Sequence, residues 1–355
     1  MIPSIVRPGR AGATLSDVSV QKLQESDAFI VFDLDAAPAH AGIVRVAPKI
    51  LVDGATTLAR SLTYLYASFE QQMGGASAGI NAKPDGRDEA VAAFVAEVGP
   101  RVADGSLQLR PGKGLTEADL APLTAPQPGG PVEPDDGGLL GAGAVAAAVR
   151  ATNGLSGSRV AVDGLDRLTV GVVAELVAAG ATIVAVSTTA GSVAAPGGID
   201  PGALSAAITE HGAAAIEHLG LAVDPASAVF AADADVLFAG SKVGAIDHEV
   251  AAGITAGLVV PIGPVPVSAK ALALLRRSGT VVLPDFVCAA GPWFATFPGS
   301  SGSADELRST VVDRVGGVIG DLLGHADGPL LAACYRAEAF LATWQESLPF
   351  GRPLA

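Results

Sequence analysis

The sequence predicts an α/β protein in which a doubly wound parallel sheet follows a first domain containing packed helices. Three observations carry this. Short β-rich runs at 159–162, 181–186, 236–238, 258–262 and 280–283 alternate with helical stretches. These runs are apolar along their whole length, as strands are when helices cover both faces of a parallel sheet. Before them, residues 121–138 are dense in Pro and Gly and lack apolar periodicity, which reads as a linker. The chain also has 355 residues, half of them hydrophobic, enough for two buried cores.

The elements follow in order. Leu58, Leu62, Leu65 and Phe69 recur at helical spacing, and Val91, Phe94, Val95, Val98 and Val102 form a second stripe, so the first third holds helices that pack by one face. After the linker come the strands. Asp200 followed by Pro201 reads as an N-cap with proline at the first helical position, and Ser303 with Glu306 reads as a capping box. Two final helices, 304–323 and 329–344, follow the last strand. The expected division is a first domain over 1–133, a sheet domain over 134–320, and C-terminal helices over 321–355 that return to the first domain, with a cleft between the domains.

Composition excludes several functions. A net charge of −14 without any basic run gives nucleic acid no electrostatic footing. The apolar stretches are broken by Glu175 or by Pro261, Pro264 and Pro266, so no membrane span is expected, and the first ten residues lack the apolar core of a signal peptide. Cys288 and Cys334 stand far apart in apolar surroundings, which suits buried thiols in a reducing, cytoplasmic setting. His211 and His218 lack a third ligand at metal spacing, and no metal site is expected. Asp233, Asp235 and Asp247 read as caps or turn residues.

Residues 159–200, from the strand through Gly164 to Pro196-Gly197-Gly198-Ile199-Asp200, resemble the first β-α-β unit of the glutamate/leucine/phenylalanine/valine dehydrogenases. Segments 234–246 and 281–291 resemble that family's later strand and its "PDF…NAG" piece, and 62–80 resembles its lysine-bearing stretch. The resemblance runs in order over 28–295. It implies an N-terminal domain of amino-acid dehydrogenase type, a Rossmann-like second domain, a nicotinamide cofactor, NAD(P), and oxidative deamination of an amino acid. Two lysines would serve it, one holding the substrate carboxylate and one activating water, together with a proton-transferring aspartate.

Carried over position by position, the lysines fall on Leu65 and Ser77 and the aspartate on Gly112. None can do that chemistry, and losing one such group costs a factor of ~10²–10⁴. Lys113 and His40 are the relocated candidates, with Arg45 and Glu70 in neighbouring segments. The phosphate-binding turn keeps Gly164 but reads on as Leu165, Asp166, Arg167, Leu168 and Thr169. A carboxylate at Asp166 would repel each phosphate charge by about 3 kcal/mol at an effective dielectric of ~20 and a separation of ~5 Å, roughly a hundredfold in affinity. Arg167 would offset part of that. Ser187 stands where NAD enzymes place an acid against the ribose, the segment that would border the nicotinamide reads Ile262-Gly263-Pro264-Val265-Pro266, and the expected asparagine is Ala289. Cys288 and Trp293 would border the same cleft.

The expected function is a binding, regulatory or structural subunit of amino-acid dehydrogenase descent, in a homo-oligomer or a hetero-oligomer, with a small molecule possible in the cleft. Two alternatives stand beside it: an NAD(P)-dependent amino-acid dehydrogenase with atypical residues, and altered chemistry in the same cleft through Lys113 or His40.

Overall fold

The computed structural model describes residues 15–16, 18–123, 136–298, 300 and 302–355. The chain divides into two compact units, Met1–Pro131 with Cys334–Pro353, and Val132–Ala333 with Leu354–Ala355. Most of the expected linker lies outside the described residues. Its last part does not behave as a linker: residues 136–138 open a helix that lies so close to the next that a Cβ on Gly171 would sit 2.1 Å from the Gly137 carbonyl oxygen.

The first unit runs β1 (Leu15–Ser16), β2 (Ser19–Lys22), β3 (Ala28–Phe32), β4 (His40–Ala47), α1 (Val52–Ser68), β5 (Gly74–Asn81), α2 (Arg87–Ala103), β6 (Leu107–Pro111) and α3 (Glu117–Leu120). Five of the strands form one sheet, β2-β3-β5-β4-β6, with β4 parallel to β5 and β6 and with β3 antiparallel to β2 and β5. Alternation along the strands sends Ile30, Val44, Val46, Ala78 and Leu109 to one face, where Phe94, Val95 and Val98 of α2 cover them. The other face meets α1, whose Ala55 and Ala59 lie on Phe29 and Val31. Leu58, Leu62, Leu65 and Phe69 are all buried.

One buried ion pair ties this unit together. Arg60 Nε donates to Asp33 Oδ1 and Oδ2 at 2.6 and 2.8 Å, and the two side chains are 5% and 0% exposed. The far end of the same guanidinium donates to the carbonyls of Phe350 and Gly351. Glu338 receives Arg352 through two bonds of 2.6 and 2.9 Å and the Tyr64 hydroxyl at 3.1 Å, while β13 (Leu348–Pro349) pairs with β1. Charge-assisted bonds thus hold the C-terminal segment alongside its buried Ala337 and Leu341.

The second unit runs α4 (Asp136–Thr152), β7 (Arg159–Asp163), α5 (Gly171–Ala178), β8 (Thr182–Thr188), β9 (Gly191–Ala194), α6 (Pro201–His211), β10 (Val236–Ala239), α7 (His248–Gly253), β11 (Leu258–Pro261), α8 (Ala269–Ser278), β12 (Val281–Val282), α9 (Asp285–Cys288) and α10 (Ala304–Leu322). Helix α11 (Pro329–Leu341) follows. The sheet order is β12-β11-β10-β7-β8-β9. Five strands are parallel, as their apolar runs require. The edge strand β9 is antiparallel to β8, a departure from the all-parallel expectation, because residues 189–190 are too few for a crossover and enough for a hairpin. The outer side of β9 bonds onward, Ser192 exchanging backbone hydrogen bonds with Asp224 at 2.8 and 2.9 Å.

The expected caps are present: Asp200 accepts from Ala203 N, and Ser303 and Glu306 form a reciprocal capping box on α10. Helix α10 packs on α4 inside the second unit. Chain order reverses between β8 and β10 on either side of β7, which makes the carboxyl ends of β7 and β10 the switch point where such sheets place ligands.

Replacing Asp33 with alanine leaves the Arg60 guanidinium buried beside carbonyls alone. The expected loss is about 3–5 kcal/mol, read from urea unfolding of the whole chain, with amide exchange rising first over 348–353.

Candidate functional site

At the switch point β7 ends in Asp163 and the chain turns through Gly164, whose φ of 86° suits glycine. A second constraint fixes the residue: a Cβ there would lie 2.5 Å from Ser241 N and Cα. The backbone after β10 therefore occupies the space against the turn. Asp163, 2% exposed, gathers this region, its Oδ1 accepting from the Ser187 hydroxyl at 2.9 Å and its Oδ2 from Ser241 N at 3.1 Å and Gly240 N at 3.3 Å. Ser187 Oγ in turn accepts from Gly164 N at 3.1 Å. Ser187 is 1% exposed and turned into this network.

Residues 167–170 form a turn, and α5 begins at Gly171. A Rossmann turn leaves the amides ahead of its helix open for pyrophosphate. Here Asp166 Oδ1 accepts from Leu168 N at 2.9 Å and Thr169 N at 2.8 Å, and Thr169 Oγ1 accepts from Asp166 N at 2.8 Å while lying 2.9 Å from the Gly164 carbonyl. The carboxylate does a phosphate's work on the chain's own amides. Arg167 reaches away to the Thr209 carbonyl at 3.3 Å. The residues at this turn do not fit a dinucleotide pyrophosphate: the acceptor position is filled, its charge is of the wrong sign, and Ser241 closes the approach to Gly164.

Residues 136–294 match the family described as Glutamate/Leucine/Phenylalanine/Valine dehydrogenase. The hetero-hexameric glutamate dehydrogenase of Thermus thermophilus, solved in a leucine-bound form, superposes with a TM-score of 0.76 at 26% identity, covering 88% of this chain and 83% of that one. Residues 136–294 are thus similar to the glutamate/leucine/phenylalanine/valine dehydrogenases, and the chain shares the glutamate dehydrogenase fold. Two more distant structures share its fold: Plasmodium falciparum glutamate dehydrogenase (TM-score 0.74, 14% identity, 90% of this chain and 78% of that one) and Nostoc punctiforme L-tryptophan dehydrogenase (0.63, 18%, 94% and 97%). No curated protein matches the chain.

In the segment expected to border a nicotinamide, Val265 holds a φ of 48°, rare for a β-branched residue, and its N–H donates to Asp285 Oδ2 at 2.9 Å. Asp285, in the preserved Leu283-Pro284-Asp285-Phe286 segment, is 3% exposed and buttresses that loop. Ala289 caps α9. Burial removes Cys288 wholly from solvent and pushes its thiol well above the usual value, with Asp285 adding to the shift, so it is a packing residue; Trp293 is half-buried. His211 and His218 stack at 3.8 Å, and among the described residues no group of three or more His, Cys, Asp or Glu could hold a metal.

In the first unit, Leu65 is 3% exposed on α1, and Ser77 is fully buried on β5 with its hydroxyl unpartnered. Gly112 follows β6 and donates its N–H to Val44 O at 2.8 Å. A Cβ on Gly112 would meet Arg45 Cγ at 3.0 Å, so the arginine stem lies against the position to which the family aspartate carries over. Lys113 is exposed, and its carbonyl accepts from Val46 N. Glu70 pairs with Arg336 at 3.5 Å. His40 is 4% exposed, with Nε2 2.7 Å from the Leu34 carbonyl and the ring edge-on to Phe32 at 4.8 Å. The structure does not bring Lys113 and His40 together as an acid–base pair: one side chain faces solvent and the other is spent on a backbone carbonyl. Asp163, Asp285 and Asp33 escaped the sequence reading; the available signal was an acid closing or following an apolar run.

Two outcomes follow from this geometry. Burial holds the His40 pKa below 6.5, against the pull of its Leu34 bond, so the neutral ring is the folded form. Its contribution is full above the unfolded value and is lost as pH falls through the folded one; urea midpoints should drop on acidification from about pH 7.5 to about pH 5, and His40→Asn should flatten that slope. Asp166→Ala should cost ~0.5–2 kcal/mol in the same assay, as the loss of a cap does.

Proposed function

We propose that this chain has given up dinucleotide-dependent oxidative deamination and serves as a binding or regulatory subunit within a homo-oligomer or hetero-oligomer. The observation that carries the reading is the Asp166 carboxylate seated on the amides of Leu168 and Thr169. An internal anion held by the chain competes with phosphate at an effective concentration no free cofactor reaches. Supporting it, Ser187 is committed to Asp163, and the positions expected to act on substrate are Leu65, Ser77 and Gly112. Assembly with other chains is supported by the hetero-hexameric state of the Thermus thermophilus relative. Among the described residues no helix is long and apolar enough to cross a membrane.

The competing reading, an NAD(P)-dependent amino-acid dehydrogenase with atypical residues, is favoured by the family itself. Thermal unfolding with NADH and NADPH separates the two. A cofactor at a hundred times its dissociation constant stabilises by ~2.7 kcal/mol. The expected result is no shift at millimolar cofactor, in the wild type and in Asp166→Ala alike, since Ser241 still lies on Gly164. A saturable shift in the wild type would return the chain to the working dehydrogenases.

A further inference from the structure

The amino ends of the parallel strands, opposite the switch point, border a recess of about 210 Å³. Val236 and Leu258, the buried first residues of β10 and β11, line it together with Val281 of β12. Ser158 and Asp235 supply polar lining. An engineered apolar cavity of ~150 Å³ takes up benzene, so this recess has room for a body of about six heavy atoms.

Two long helices end at the same place. Ala151 and Thr152 in the last turn of α4, and Leu323 directly after α10, also line the recess. The carboxyl end of a helix carries roughly half a negative charge on its unsatisfied carbonyls. The last turn of α10 has no basic residue to offset that. The last turn of α4 has Arg150, but its Nε lies 2.6 Å from where a Cβ on Gly320 would stand, so it rests along α10 and does not line the recess. Asp235 adds a full charge. Its Oδ2 accepts from Arg159 N at 2.8 Å, while its Oδ1 has no partner among the described residues, and neither has Ser158 Oγ. The Arg159 guanidinium is taken by Asp233.

The geometry points to a binding site for a small organic cation: a primary ammonium on a short apolar body. The three donors of the ammonium meet Asp235 Oδ1, Ser158 Oγ and the carbonyl end of α4, and the body lies on Val236, Leu258 and Val281. Carboxylates and phosphates are opposed by Asp235 and by both helix ends. The site lies at the end of the sheet away from Asp163 and Gly164, so it goes beyond the reading of the cofactor turn and stands whether or not a dinucleotide binds there.

The test is thermal unfolding and calorimetric titration of the full chain near neutral pH, where an alkylamine carries its proton. The probes are n-pentylamine, n-pentanol, pentanoate and Nα-acetyllysine amide. n-Pentylamine should raise the melting temperature of the wild type saturably at millimolar concentration, and n-pentanol and pentanoate should not. Asp235→Asn keeps an oxygen for Arg159 N but loses the charge, and should bind the amine roughly tenfold more weakly. Gly257 also lines the recess, and a Cβ there would meet only the Asp235 carbonyl, at 3.9 Å. Gly257→Leu should therefore fill the space and abolish the response; if it does not fold, Asp235→Asn still decides. The proposal is overturned if the amine leaves the wild type unmoved, if n-pentanol or pentanoate matches it, or if Asp235→Asn responds like the wild type. Tighter binding of Nα-acetyllysine amide than of n-pentylamine overturns it as well, in favour of a lysine side chain from a partner protein. Titration with NADH reports separately on the cofactor turn, so the two readings fail by different results.

Discussion

A turn that leads into a helix presents backbone amides that must find acceptors, and how the turn ahead of α5 meets that demand decides much else in the second unit. A dinucleotide-binding sheet leaves the demand open for its ligand. In this chain Asp166 meets it from two and three residues away, and Thr169 locks the turn by bonding back to Asp166 N. Once the turn is self-sufficient, the surrounding groups need not serve a ligand either. Ser187 can sink onto Asp163, and Asp163 can stitch the ends of β7, β8 and β10 together through Ser187, Gly240 and Ser241. The preserved Gly164 is then explained without phosphate, by its left-handed φ and the backbone of Ser241 pressed against it.

The first unit shows the opposite treatment of charge. Arg60 is buried and matched, its Nε by Asp33 and its NH1 by two carbonyls. Arg45 is half-buried and matched by nothing on its inner edge. Both lie in the same small unit, so the contrast cannot be assigned to general features of its interior. It separates a residue that organises the C-terminal segment from one whose inner edge no group of the described residues meets.

Strands, caps and the two helical stripes were readable because they rest on local pattern: an apolar run, an Asp before a Pro, a Ser three residues ahead of a Glu. From sequence Asp166 reads as a charge hostile to phosphate; its acceptor role depends on the turn's geometry and not only on its residue type. The partners of Asp163 lie 24 and 78 residues along the chain, in Ser187 and Ser241, and no local pattern joins them. His40 stands among the relocated candidates for the same reason: the Leu34 carbonyl that occupies it carries no signature in the side-chain sequence. The antiparallel β9 was missed because Gly191 to Ala194 is too short and too mixed to announce a strand.

That short strand has a consequence at the level of molecules rather than residues. An open sheet ordinarily ends in a row of free amides and carbonyls that any extended peptide can join. Here Ser192 exchanges both its backbone bonds with Asp224, and its hydroxyl takes the Pro225 carbonyl at 2.8 Å. This margin is already hemmed by the chain itself, so stray strands find no template along that stretch and accidental stacking of sheets through it is discouraged.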